Sequence, residues 1–341
     1  MSIDAVTTDG ASGTHPGREA TVGVNVPPGG GGPRRRRRRE EPEFRSYYDL
    51  PVINKPAWES PDIPGYLFLG GLAGAGAAVG MAAQLSGRPG LARVSKIGAA
   101  GAGHLSLVAL VHDLGRRGRF LNMLRMFKVT SPMSVGSWLL AGFVPAATVS
   151  AFSAATGMVP AVGTLASVGA AALGPPVATY TAALISNTAV PAWHDGFEYM
   201  PFIFVSSAAS SAAGLGLLGA PVSESAPMAV LGAVGGLAEV ALSKRHERSV
   251  GIVKEAFHEG KAGRFMKAAE VLTAGGAVLA AAGGLTRRRT LRAAAGAMLL
   301  TGAAFTRFGI FEAGISSAQD PRYTIVPQRE RLERREREER R

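Results

Sequence analysis

Residues 129–194 read VTSPMSVGSWLLAGFVPAATVSAFSAATGMVPAVGTLASVGAAALGPPVATYTAALISNTAVPAWH, and no Asp, Glu, Lys or Arg interrupts these 66 positions. One helical crossing of a bilayer takes about 20 apolar residues. A soluble core has no need of so long an uncharged run, so the stretch reads as two membrane spans, about 133–154 and 160–185, with a short turn between them.

The pattern continues on both sides. Before it come spans at about 63–84, with Asp62 as an N-cap and Pro64 in the first turn, and at about 93–113. After it come spans at about 199–219, 226–243, 268–285 and 291–312. Four of the connections are tight. The expected fold is an all-α membrane protein, an up-and-down bundle of eight transmembrane helices at 44–320. Residues 1–43 are rich in Gly, Pro and Arg without a periodic apolar face, and are expected to be disordered. Residues 321–341 read as a charged tail. The run Arg34–Arg39 lies too far from the first apolar segment to act as a secretion signal.

Small residues crowd the spans. Gly70/Gly74, Gly76/Gly80 and Gly232/Gly236 each form a GxxxG, the spacing that lets helices approach closely in lipid. Pro145, Pro175 and Pro176 fall inside spans and should kink or break them, freeing carbonyls to line a cavity. The chain has no cysteine, which excludes disulfides and thiolate-held clusters on this chain.

The net charge of +12 is distributed unevenly. With eight spans both termini share a side, and that side carries 29 Lys and Arg against 7 on the other. The positive-inside rule places both termini in the cytoplasm, and the protein in the cell membrane as a multi-pass chain. The cytoplasmic loop between the second and third spans carries Arg116, Arg117, Arg119, Arg125 and Lys128. If it is helical, Arg119, Asn122, Arg125 and Lys128 form a polar face, and Phe120, Leu124 and Phe127 an apolar one. Such a segment either rests on anionic lipid or offers a docking shelf to a partner.

Ionisable groups inside spans are costly and therefore candidates for function. His104, His112 and Asp113 lie on the second span, Glu239 on the sixth, Glu270 at the start of the seventh, and Arg307 and Glu312 on the eighth. His104 and His112 stand about 12 Å apart along a helix, too far to hold one haem between them. Asp113, His104, Glu239, Arg307 and Glu312 are candidate proton-relay groups, with structural ion pairing as the alternative. Tyr180 is a phenol within the bilayer, and Asn187, Trp193, His194 and Asp195 gather at the same edge. No P-loop, HExxH or spaced metal-ligand cluster is present, and GLAGAG lies within a span rather than after a strand. The apolar spans exclude a soluble nucleic-acid-binding protein.

Four stretches, YYDLPVINKPAWESPDIPGYLFLGGLAGAG (47–76), HDLGRRGRFLNMLRMFKVTSPMSVGSW (112–138), YTAALISNTAVPAW (180–193) and TRFGIFEAGISSAQDPRYTIVPQRERL (306–332), resemble the NrfD/PsrC family, the integral membrane subunit of polysulfide-reductase-type complexes. The resemblance implies an eight-helix bundle without metal or haem. It implies a quinone (menaquinone) bound near the surface where a ferredoxin-like iron–sulfur subunit docks, that subunit being wired to a molybdopterin catalytic subunit. Tyr66, Tyr180, Asp62 and His112 fall where such a family binds quinone, although Ile63 and Tyr66 stand where a relative has Asn and His. The cationic loop becomes part of the platform facing the iron–sulfur partner. Two rival readings are a secondary transporter, which calls for an inverted repeat with matching broken spans, and a purely structural anchor.

Overall fold

A computed structural model describes residues 51–286 and 288–340. The tail expected at 1–43 lies outside the described residues. Eight helices are long and apolar enough to cross a membrane. They are α1 (Asp62–Leu85), α2 (Pro89–Asp113), α3 (Pro132–Thr156), α4 (Pro160–Ser186), α5 (Met200–Gly219), α6 (Ala226–Ser249), α7 (Gly260–Thr286) and α8 (Arg289–Gln319). A ninth helix, α9 (Arg322–Glu339), follows α8 and forms most of the charged C-terminal tail. No strand occurs among the described residues.

The spans are apolar nearly all round, as expected of helices that face lipid on one side and one another on the other. α1 packs on α2, α2 on α3, α3 on α4 and α4 back on α1. The second set repeats the scheme: α5 packs on α6, α6 on α7, α7 on α8 and α8 back on α5. The two rings of four meet where α1 and α4 touch α5, and where α1 touches α8. Each ring closes at a glycine pair. Gly74 of α1 lies against the Gly174 backbone of α4, and a Cβ on Gly214 of α5 would stand 2.7 Å from the Gly296 carbonyl oxygen of α8. Gly76 and Gly80 bring α2 onto α1 at Ala99 and Lys96, and Gly232 and Gly236 bring α6 onto Leu299 of α8. With no hydrophobic drive between helices in lipid, such close backbone packing supplies the adhesion.

The prolines do not break their helices. α3 runs unbroken through Pro145, and α4 through Pro175 and Pro176. A broken helix in hydrocarbon would leave several backbone groups unpaired, so the helix persists around the lost bonds. Thr179 Oγ1 donates to the Pro175 carbonyl at 2.9 Å, and Thr148 Oγ1 to Val144 at 2.7 Å. Nor is Asp62 the N-cap of α1: that position is Pro61, and the Asp62 carboxylate turns to α2.

At the Leu85 end of the bundle three arginines act as caps. Arg93 donates to Ala155 O at 3.2 Å, at the end of α3. Arg289 donates to Ala220 O at 2.6 Å and also to Leu218 O, at the end of α5. Arg292, fully buried, reaches Gly283 O at 3.0 Å, Val222 O at 2.5 Å and Ser225 Oγ at 2.7 Å. Glu224 in the same turn accepts from Leu91 N at 2.8 Å, at the start of α2. Helix ends leave orphan carbonyls and N–H groups, which these charges satisfy with the favourable sign. At the opposite, Asp62, end the cations are mostly exposed.

The loop between α2 and α3 forms a 3-10 segment over Arg117–Leu124 rather than an amphipathic α-helix. Gly115, held at φ +61°, and Gly118 weaken α-helix here. The helical turn ends before Phe127, so Phe127 leaves the face shared by Phe120 and Leu124.

Candidate functional site

The mouth of the first ring, at the Asp62 end, collects polar side chains over an apolar interior. Asp62 opens α1, and its Oδ2 lies 2.6 Å from Nδ1 of His112 at the end of α2. Asp113, the next residue, accepts a hydrogen bond from Glu59 N at 3.0 Å, which pins the segment before α1 onto α2. Tyr66 lies one turn inside Asp62 on the same face of α1, the four-residue spacing of a helix. Its side chain is buried in one apolar cluster with Tyr180. Its carbonyl accepts from Ser106 Oγ at 3.1 Å. The Tyr180 ring fills the space left by the missing side chain of Gly136 on α3. The Tyr180 hydroxyl is buried without a hydrogen-bond partner, an unusual state for a group whose desolvation normally demands one.

Trp193, in the single turn Pro191–His194, bridges the two rings. Its Nε1 donates to Ile310 O of α8 at 2.8 Å, and its ring lies 5.5 Å from Trp58 and 5.8 Å from Phe311. Ala192 N donates to Ser317 Oγ at 3.2 Å. His194 Nδ1 sits 3.2 Å from Ser186 O, and Asp195 pairs with Arg331 of α9 at 3.2 Å. The C-terminal helix is thereby tied to the same end.

The second ring holds a separate polar cluster. Glu239 of α6 is buried, and accepts from Thr306 Oγ1 at 2.7 Å and Ser210 Oγ at 3.0 Å. Arg307 is also buried. It donates through Nη2 to Phe204 O at 2.9 Å and lies 3.8 Å above the Phe204 ring, while its Nε and Nη1 lack partners. Thr273 Oγ1 is likewise unpartnered. A cavity of about 20 Å³, about the space of one water, is lined by Glu239, Ser243, Thr273, Thr306, Glu247 and Glu270. At its mouth Lys244 pairs with Glu270 at 2.6 Å, and His258 with Glu247 at 3.4 Å. On the other side of Glu239, Gly232 and Gly236 pack closely against Leu299 and Ala277. A buried carboxyl with two hydroxyl donors beside a one-water cavity can hold a proton.

The other sequence candidates are more scattered. His104 faces outward between α2 and α3, with Nδ1 2.8 Å from Ala100 O and Nε2 3.4 Å from Thr148 Oγ1. It joins neither cluster. Glu312 is half-buried beyond Arg307 on α8 and does not line the cavity. Arg116, Arg117, Arg125 and Lys128 are exposed on the loop, and the side chain of Arg119 is outside the described residues. Three groups were not singled out from sequence. Ser210 and Thr306 were signalled only by the need of a buried Glu for donors. His246 is buried, with both ring nitrogens unpartnered and its ring edge-on to Phe257 at 5.2 Å. Its neighbours in SKRHERS read as surface, so no sequence signal marked it.

This fold and these clusters define an eight-span membrane protein with its polar chemistry gathered toward one end of two helical rings. Residues 53–222 match the family model described as polysulphide reductase, NrfD. The chain belongs to the NrfD family, whose members are membrane subunits of oxidoreductase complexes. The matched segment takes in all of the first ring and α5 of the second. None of the curated proteins matches the chain.

Proposed function

We propose that the chain is the quinone-reactive membrane subunit of a multi-subunit oxidoreductase. It exchanges electrons between menaquinone and the nearest cluster of a docked ferredoxin-like iron–sulfur subunit, which serves a molybdopterin catalytic subunit. The observation that carries this reading is the unpartnered Tyr180 hydroxyl, buried in the same apolar cluster as Tyr66. A quinone carbonyl oxygen accepts from such a hydroxyl, and the apolar cluster around Tyr66 suits its ring and prenyl tail.

Oxidation of one quinol yields one quinone, two protons and two electrons. The electrons pass to the partner's cluster. His112, held by Asp62 and exposed at the mouth, takes the two quinol protons one after the other as a general base and releases each to water; in the reverse direction the same pair returns them. Exposed Arg116 and Arg117 lie at the end where the partner would sit. Proton translocation would use the buried Glu239 carboxyl and the one-water cavity beside it. The charge imbalance supports a cytoplasmic position for both termini and for the partner, in the cell membrane. The caps at the Leu85 end strengthen it, since those cations serve helix ends.

Purification from mildly solubilised membranes tests the reading. The expected product carries iron together with molybdenum or tungsten, and menaquinol reduces its clusters. Tyr180→Phe keeps the ring over Gly136 and removes one hydrogen bond, so quinol affinity should fall about five-fold. A metal-free chain purifying alone, under conditions that preserve complexes, overturns the proposal.

A further inference from the structure

Beneath the cationic loop lies a second pocket, of about 620 Å³, that the electron-transfer reading does not use. Its walls are the loop and the first turns of α3. The polar part includes Asn122, Arg125, Lys128 and Ser131, and the apolar part is Met123, Met126 and Met133. Two hydrogen bonds staple the loop to α3: Ser134 Oγ donates to Met126 O at 3.0 Å and accepts from Lys128 N at 3.0 Å. Trp138 Nε1 adds a third to Met126 O at 3.3 Å. The rim is apolar and exposed. Val129 is 76% exposed and Phe127 60%, and Phe127 meets Trp138 edge-on at 6.4 Å.

The geometry points to a binding site for the headgroup of an anionic phospholipid. Residues 114–131 contain five cations and no acid. Arg125 and Lys128 supply the charge that a phosphodiester requires, and Asn122 and Ser131 supply neutral donors. Position favours a lipid over a protein as occupant. α3 continues from the pocket with Trp138, Val149 and Phe152 exposed, the surface that faces hydrocarbon in a spanning helix. A Trp at the headgroup level, beside cations and exposed Phe and Val, is the pattern of a membrane interface. The three methionines give the pocket an adaptable wall for the glycerol and first methylenes of the acyl chains.

The test is native mass spectrometry and a lipid titration on the full-length protein in its complex. Phosphatidylglycerol is compared with phosphatidylcholine of the same chains. One phosphatidylglycerol is expected to stay bound where phosphatidylcholine is lost. Arg125→Ala with Lys128→Ala should weaken it about thirty-fold, the combined worth of two cations at an anionic surface. A second variant, Asn122→Ala with Ser131→Ala, leaves both charges and should weaken binding less. Unfolding temperature in neutral detergent serves as the check that both variants fold. Equal retention of the two lipids, or undiminished phosphatidylglycerol in the charge variant, overturns the site. So does lipid bound only when the partner subunits are stripped away, which would assign these cations to a protein interface.

Discussion

A methyl group on Gly136 would land inside the ring of Tyr180, so this glycine is needed for space and not for backbone freedom. Gly136→Ala should therefore displace the tyrosine, cost about 1–3 kcal/mol by overpacking, and lower quinol affinity at least as much as Tyr180→Phe. Thermal unfolding in detergent, with quinol titration, reads both effects. Thr306→Val conserves shape but removes the 2.7 Å hydrogen bond to the buried Glu239 carboxyl. A loss of about 1.5–3 kcal/mol is expected if that carboxyl is ionised, and less if it is protonated. Glu239→Gln should suppress proton uptake by reconstituted vesicles during quinone turnover. At this scale the sequence was only partly informative. Buried Glu239, Arg307 and Tyr180 stood out because charges and phenols are conspicuous in an apolar run. Ser210, Thr306 and His246 did not, because hydroxyls are common in spans and His246 is surrounded by surface-type residues.

Helix existence was legible, and helix limits less so. All eight spans appear, but α7 begins at Gly260 where apolarity alone starts it near 268, and α8 runs on to Gln319. Charged turns at the Asp62 end continue the helices beyond hydrocarbon, and a hydropathy reading stops where the charges start. The loop before α3 was left conditional on being helical, and its three-residue recurrence suits the 3-10 turn that forms as well as an α-helix. The glycine closures set an element-scale prediction. Gly174→Val presses a branched side chain on the Gly74 backbone, which cannot yield as a side chain can. It should unfold the first ring in detergent at markedly lower temperature, whereas the same change at Gly101, which faces open space, should be tolerated. The junction of α8 and α9 carries a pH dependence. Partial burial raises the Asp320 carboxyl, but the Arg322 guanidinium at 2.8 Å and the Arg322 N–H outweigh it and hold it below the usual 3.8. A depressed carboxyl stabilises at neutral pH, and that contribution disappears as pH falls through its lowered value. Amide exchange in α9 should accelerate below about pH 4, and Asp320→Asn should remove that step.

For the molecule as a whole, the side of the membrane is the decisive prediction. Trypsin added to inverted vesicles should clip the exposed arginines of α9, and right-side-out vesicles should protect them; the reverse result places the proposed partner outside. The charge imbalance that supports this orientation was readable without any structure. The two-ring arrangement was not, because a list of spans does not say which helices close on which. One turn also sets the order in which the chain can be completed. Residues 218–225 receive Arg289 and Arg292 from the start of α8 and lend Glu224 to the start of α2. During synthesis α2 therefore waits 133 residues for its acidic cap, and the end of α5 waits about seventy more for its arginines. The first ring can therefore reach its final hydrogen-bonding once the α5–α6 turn is made, whereas the second must wait for the last span, so a ribosome halted after α7 would leave the first ring capped and the second an open set of three helices.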